Sequence, residues 1–230
     1  MKRILVVLSI VFSMLFFLMP ASASAAPPTL RPGMGIEIDG GLTGGGTICS
    51  IAAIGHDASG RLLGLTAGHC IQADNPDNGV VQVSGVTVGH FVTKPTGFPD
   101  IYTKSPQNIS RDGAFFEIVD GVAVSNKTPN GVAINRIGQA PRFLWHFCKF
   151  GQISRETCGF VTRTGSPFEG TTPVLPGDSG GAVYDAPLPN RSSAGLIGVT
   201  SAMLPSRFSA IGNILADAAP QGVVNFTPLQ

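Results

Sequence analysis

The sequence predicts an all-β protein assembled as two β domains of similar size, and three observations carry this. The 230 residues include 30 Gly and 18 Pro, which interrupt the chain too often for long helices, because Gly costs backbone entropy and Pro removes a donor. Only 13% of residues are charged, about half the usual share of roughly 25%, so a coiled coil or helical bundle is excluded. Between the breakers lie short runs rich in β-branched and apolar residues, at the close spacing of a sandwich or barrel.

Taken in chain order, Lys2 and Arg3 precede an uncharged apolar run from Ile4 to Met19, and Pro20 leads into Ala21-Ser22-Ala23-Ser24-Ala25. A basic start, an apolar body and a small-residue site form a secretory signal peptide, cut after Ala23 or Ala25. The run is shorter than the roughly 18 residues that favour a spanning helix. Residues 1–25 are therefore expected to be removed, leaving a secreted protein with no membrane contact. Loss of Lys2 and Arg3 leaves 13 basic against 14 acidic side chains.

Gly40 to Gly46 reads as a flexible entry loop. The first domain, 26–124, then carries runs at Ile48 to Ile54, Arg61 to Thr66, Val80 to Val83, Val86 to Val92, Ile101 to Lys104 and Ala114 to Ile118. Residues 125–131 are polar, contain Pro129 and read as the linker. The second domain, 132–230, has runs at Val132 to Ile137, Phe143 to Phe150, Phe160 to Arg163, Ala182 to Tyr184, Leu196 to Thr200 and Val223 to Phe226. Ile211 to Ala218 is the one convincing helix, ended by Pro220 and Gly222.

A net charge of +1 with no basic stripe or acidic block argues against nucleic acid and anionic membrane as partners. Secretion makes the four cysteines readable as a disulfide framework, for which three pairings exist. The sequential one, Cys49 with Cys70 and Cys148 with Cys158, is preferred because it closes two local loops in separate halves. Zinc would need a different spacing: there is no CxxC, and only His69 adjoins a cysteine. No metal and no cofactor are expected.

The chemistry gathers at Gly177-Asp178-Ser179-Gly180-Gly181. A Ser between glycines can sit on a tight turn with its hydroxyl exposed and backbone N–H groups nearby. The same string satisfies G-x-S-x-G, the nucleophile elbow of α/β-hydrolases, in which the catalytic His follows the Ser. Here His56, His69, His90 and His146 all precede Ser179, so that reading fails. The order His, Asp, Ser can be filled. His69 lies in Thr66-Ala67-Gly68-His69-Cys70 at the end of an apolar strand, beside a cysteine that can anchor its loop. Asp112 introduces the strand from Ala114, at the rim of a core, where a carboxylate can orient an imidazole. Asp100 and Asp120 are the competing acids. The other histidines read as surface groups, and Trp145 reads as core.

TAGHC, the D-x-A strand start and PGDSGG, in this order, resemble the chymotrypsin-like (trypsin-type) serine peptidases over about Cys49 to Phe226. Cys148-Lys149-Phe150-Gly151 with Cys158-Gly159 is similar to the small disulfide loop of the bacterial streptogrisin-like branch, as is the C-terminal helix followed by a last strand. The resemblance implies two six-stranded antiparallel β-barrels, a short C-terminal helix and an active site in the cleft. It implies that His69 is the base, Asp112 its orienting acid and Ser179 the nucleophile, with an oxyanion hole from the N–H groups of Gly177 and Ser179. It also implies an internal ion pair of Lys149 with Asp178, where that branch tends to have Arg in place of Lys, so that no newly cut N-terminus is needed.

For substrate, the resemblance implies a polypeptide paired along the strand at Ser201. Pro173 stands at the base of the primary pocket, where trypsin-like enzymes place Asp, and Thr200 stands where Glu-specific relatives can carry His. Ala202 and Met203 replace small wall residues, and the third disulfide across the pocket is missing. Cleavage after a small or medium apolar residue is expected. The expected function is a secreted, monomeric serine endopeptidase working through an acyl-enzyme, released without a long pro-segment. The alternatives are a catalytically silent chymotrypsin-fold binding protein whose pocket Met203 occludes, and an esterase on the same site.

Overall fold

The computed structural model describes residues 28–38, 47–71, 79–94, 111–185 and 192–230. The expected signal peptide at 1–25, the entry loop at 40–46, the run from Ile101 to Lys104 and Asp100 all lie outside the described residues. In chain order the strands are β1 (Gly35–Ile38), β2 (Thr47–Ser50), β3 (Ala53–His56), β4 (Leu62–Thr66), β5 (Val80–Val83), β6 (Val86–Phe91) and β7 (Ala114–Ile118). There follow β8 (Ala133–Ile137), β9 (His146–Gly151), β10 (Arg155–Arg163), β11 (Phe168–Gly170), β12 (Ala182–Asp185), β13 (Ser193–Ala202) and β14 (Arg207–Ala210). Helix α1 (Ile211–Ala218) and strand β15 (Thr227–Pro228) end the chain. No described helix is long and apolar enough to cross a membrane.

The double barrel expected from the resemblance is observed. One sheet runs β15-β3-β4-β7-β6-β5-β1-β2 and rolls into a half-barrel, while β12-β9-β10-β11-β14-β13 closes on itself through β12–β13 pairing, with β8 added in parallel to β13. Closure leaves few edges exposed, which suits short strands that could not stand alone.

Strand β9 shows how the two halves join. Phe147 points into the closed barrel, where its ring meets Phe208 at 5.2 Å and Phe168 at 5.9 Å. Its neighbours Cys148 and Phe150 face the opposite way, into a core shared with Leu65 of β4 and with Leu30 and Ile51 of the N-terminal half. Strand β12 repeats the alternation, with Val183 inside the barrel and Ala182 and Tyr184 at the junction. A strand's period of two thus fills two cores at once, and each fully buried Phe contributes about 1.5 to 3 kcal/mol.

The differences from the sequence reading have local causes. The run Ile48 to Ile54 breaks into β2 and β3 at Ile51-Ala52, whose N–H groups turn to Met34 and Leu65 carbonyls. Phe143 and Leu144 form an exposed turn, not the start of β9, with Leu144 at φ +62°. In Val223 to Phe226 the backbone turns left-handed at Asn225 (φ +54°), so the ladder falls on β15. That strand pairs with β3, returning the last residues to the first sheet. Ser125 and Asn126, in the segment read as linker, are hydrogen-bonded to Leu30 and Ile134.

Candidate active site

Strand β4 runs between β3 and β7 and ends at Thr66, after which Gly68–Cys70 makes one 3-10 turn carrying His69. Cys70 is disulfide-bonded to Cys49 on β2, which restrains the turn from the far side. Thr66 pairs with Ala114 in the β4–β7 ladder, so the antiparallel register carries Asp112 opposite the turn. Asp112 is 1% exposed. Its Oδ1 accepts the His69 backbone N–H at 2.8 Å, and its Oδ2 lies 2.7 Å from Nδ1. A carboxylate only accepts, so Nδ1 carries a proton and Nε2 is left as the basic atom. Burial alone would lower the imidazole pKa, but the charge and hydrogen bond of Asp112 outweigh it and raise it above the usual value. Beneath the pair, a Cβ on Gly113 would lie 2.4 Å from Ile214 of α1. Only glycine lets the helix pack this closely against the Asp112 loop.

The loop Leu175 to Gly181 is anchored through Asp178, whose side chain is wholly buried. Its carboxylate accepts from Lys149 Nζ (3.0 Å), Ser154 Oγ (2.5 Å), and the backbone N–H groups of Ile153, Ser154 and Leu175. Lys149 Nζ also meets Ser154 Oγ. Burial would raise the Asp178 pKa, yet the donors from Ser154 and Leu175 and the charge of Lys149 hold it below the usual carboxylate value. Burial lowers that of Lys149, against the pull of Asp178. The second disulfide, Cys148 to Cys158, ties β9 to β10 one residue before Lys149.

Gly180 brings this loop to the His69 turn. At φ +83°, a Cβ there would lie 2.1 Å from Thr66 Oγ1 and 2.8 Å from the Ala67 N. Ser179 itself is held on two sides: its carbonyl accepts from Ser50 of β2 (2.7 Å), and the next N–H, of Gly180, donates to Thr200 of β13 (2.8 Å). No hydrogen bond joins Ser179 Oγ to the His69 ring among the described residues. Such contacts are often long before substrate tightens them. The N–H groups of Asp178, Gly180 and Gly181 are each bonded to a backbone carbonyl. Those of Gly177 and Ser179 have no acceptor among the described residues, which leaves two donors for a developing negative charge.

The expected specificity residues differ in exposure. Pro173 is exposed and Thr200 buried, with its hydroxyl unpartnered. Ser201 is buried, its Oγ 2.8 Å from Ser209 Oγ, and the β13–β14 register shifts between Thr200 and Ala202. Ala202 is half-buried, while Met203 is 48% and Leu204 91% exposed in the following turn. The clusters Cys49, His69, Cys70 and His146, Cys148, Cys158 fit a metal poorly, since their sulfurs are in disulfides and offer no thiolate. Sequence reasoning missed Thr66, Ser50 and Ser154. Thr66 opens the TAGHC string and Ser50 follows Cys49, but nothing in the sequence marks Ser154.

No family model matches the sequence, and no curated protein does. Solved structures do. A protease from Nocardiopsis shares 19% identity, over 88% of this chain and 100% of that one, with a TM-score of 0.61. Protease A of Thermobifida fusca shares 20% over 88% and 100%, at 0.60. A chymotrypsin of Cellulomonas bogoriensis shares 21% over 88% and 99%, at 0.58. By fold, the chain is a chymotrypsin-like double β-barrel, the architecture these bacterial proteases share.

Proposed function

We propose that the protein is a serine endopeptidase of the chymotrypsin-like family, secreted after loss of residues 1–25. The observation that carries the reading is the Asp112–His69 pair, with Nδ1 engaged and Nε2 basic, beside a Ser179 loop with two unbonded N–H groups. His69 Nε2 removes the Ser179 proton as Oγ attacks the scissile carbonyl, and the N–H groups of Gly177 and Ser179 take the oxyanion. His69 then returns the proton to the leaving amine, and water resolves the acyl-enzyme by the same path. Asp112 orients the ring and stabilises its cation. Two disulfides support an oxidising compartment, and the bacterial proteases among the structural neighbours support a polypeptide substrate.

An exposed Met203 favours an open pocket over the occluded binding protein. Without an acid at Pro173, the pocket is read as taking a small or medium apolar residue. The test is digestion of a peptide library followed by mass spectrometry, with Ser179→Ala as control. Cleavage after apolar residues that the variant lacks supports the reading, and intact peptides overturn it.

A further inference from the structure

We infer that Ser50 is a positioning residue whose hydroxyl sets the oxyanion loop from the opposite barrel, an inference that rests on the hydrolase reading above. Ser50 ends β2 and is wholly buried. It grips the Ser179 loop twice: its N–H donates to the Ser179 carbonyl at 2.7 Å, and its Oγ donates to the Gly177 carbonyl at 2.8 Å. The direction of the second bond follows from its surroundings. Gln152 N–H, 3.0 Å from the same Oγ, can only donate, so the hydroxyl accepts there and its own proton points to Gly177.

The Gly177–Asp178 peptide is thereby held at both ends, its carbonyl by Ser50 and its N–H by the Leu175 carbonyl at 2.9 Å. The peptides on either side carry the two unbonded N–H groups. Gly177, at φ +94°, has no Cβ to limit rotation of this plane, so an external contact must fix it. Ser50 also accepts from Thr66 Oγ1 at 2.8 Å through its carbonyl. One residue therefore ties the oxyanion donors to the strand that leads to His69, and a misplacement of about 1 Å there costs on the order of 100-fold in rate.

Two variants delete the hydroxyl but keep the backbone bond to Ser179: Ser50→Ala and Ser50→Gly. A third, Ser50→Thr, restores it. Each purified protein is checked for folding by thermal unfolding. Fluorophosphonate labelling rate, kcat and KM on a peptide from the library, and the pH profile are then measured. Ser50→Ala and Ser50→Gly are expected to lower kcat and labelling rate about 10- to 100-fold with KM within about twofold. The pH midpoint stays in place, because His69 is untouched, and Ser50→Thr recovers most of the loss.

A folded Ser50→Ala or Ser50→Gly with unchanged kcat overturns the inference. So does a KM effect at constant kcat, a shifted pH midpoint, or a folded Ser50→Thr as slow as Ser50→Ala. These outcomes leave the hydrolase reading standing, whereas a wild-type protein that neither labels nor cleaves removes both.

Discussion

Lys149 and Asp178 form an ion pair with no solvent exposure on either side chain, Nζ to Oδ2 3.0 Å. Ser154 bridges them, and the carboxylate that they stabilise carries the loop on which Ser179 sits. Replacing Lys149 by Ala strands a buried charge, so a destabilisation of about 3 to 5 kcal/mol is expected. Chemical denaturation of wild type and variant measures it, and Lys149→Arg should lose less by keeping the charge. An unchanged midpoint for Lys149→Ala would remove the pair from the account.

Under the proposed function, the pH dependence follows from His69. Its raised pKa means that the neutral, reactive imidazole is reached only above the ordinary value of 6.5, so kcat/KM should climb with pH to a midpoint above that value. Asp112→Asn removes the charge that raises it, leaving burial to act in the opposite direction; the midpoint should fall and the rate drop about 10³- to 10⁴-fold. For stability the sign is separate. A raised folded-state pKa favours folding below the unfolded value, and this contribution fades as pH rises through the folded value.

Asp57 makes the opposite prediction, at acid pH. Burial would raise its pKa, but hydrogen bonds from Ser59 and Arg61 outweigh this and hold it at about 2, below 3.8. Arg61, bonded through Nε and Nη2 to the carboxylate, also reaches the Gly222 carbonyl at 2.8 Å, tying the β3–β4 hairpin to the turn after α1. The stabilisation, about 2 kcal/mol by linkage, is present above 3.8 and lost as pH falls towards 2. An acid titration of Asp57→Asn should lack that step.

The two disulfides should separate stability from rate. They close loops of 21 and 10 residues, and because chain entropy grows only with the logarithm of loop length each contributes roughly 3 kcal/mol. Only Cys49–Cys70 adjoins both His69 and Ser50. Replacing that pair by Ala should lower kcat in the folded protein as well as its melting temperature, whereas replacing Cys148 and Cys158 should act mainly on stability. Equal effects of both replacements on kcat would contradict this.

What the sequence disclosed and what it hid have physical reasons. His69 and Ser179 sit in contiguous strings whose local geometry requires particular neighbours, and Lys149 stands next to a cysteine that marks its place. Helix α1 and strands β5 and β7 follow from apolar pattern alone. Strands β1, β11 and β14 do not, because Gly, Glu, Arg or Ser breaks the apolar pattern of these short runs (GIEI, FEG, RFSA) and their pairing is imposed by barrel closure. The role of Ser50 was hidden for a similar reason: Ser50 and Gly177 are 127 residues apart, and only the fold brings them together. Ser154, 24 residues from Asp178, looks like an ordinary hairpin serine until its hydroxyl is seen between two buried charges.

The proposed function requires Ser179 to be an activated nucleophile beside the N–H groups of Gly177 and Ser179, which have no acceptor among the described residues. Fluorophosphonate labelling of the purified protein, read by intact mass and peptide mapping with Ser179→Ala beside it, tests this most directly, since such a probe needs both features and little side-chain specificity. Stoichiometric modification at Ser179 that disappears in the variant is the predicted result; a folded wild-type protein that stays unlabelled would contradict the account.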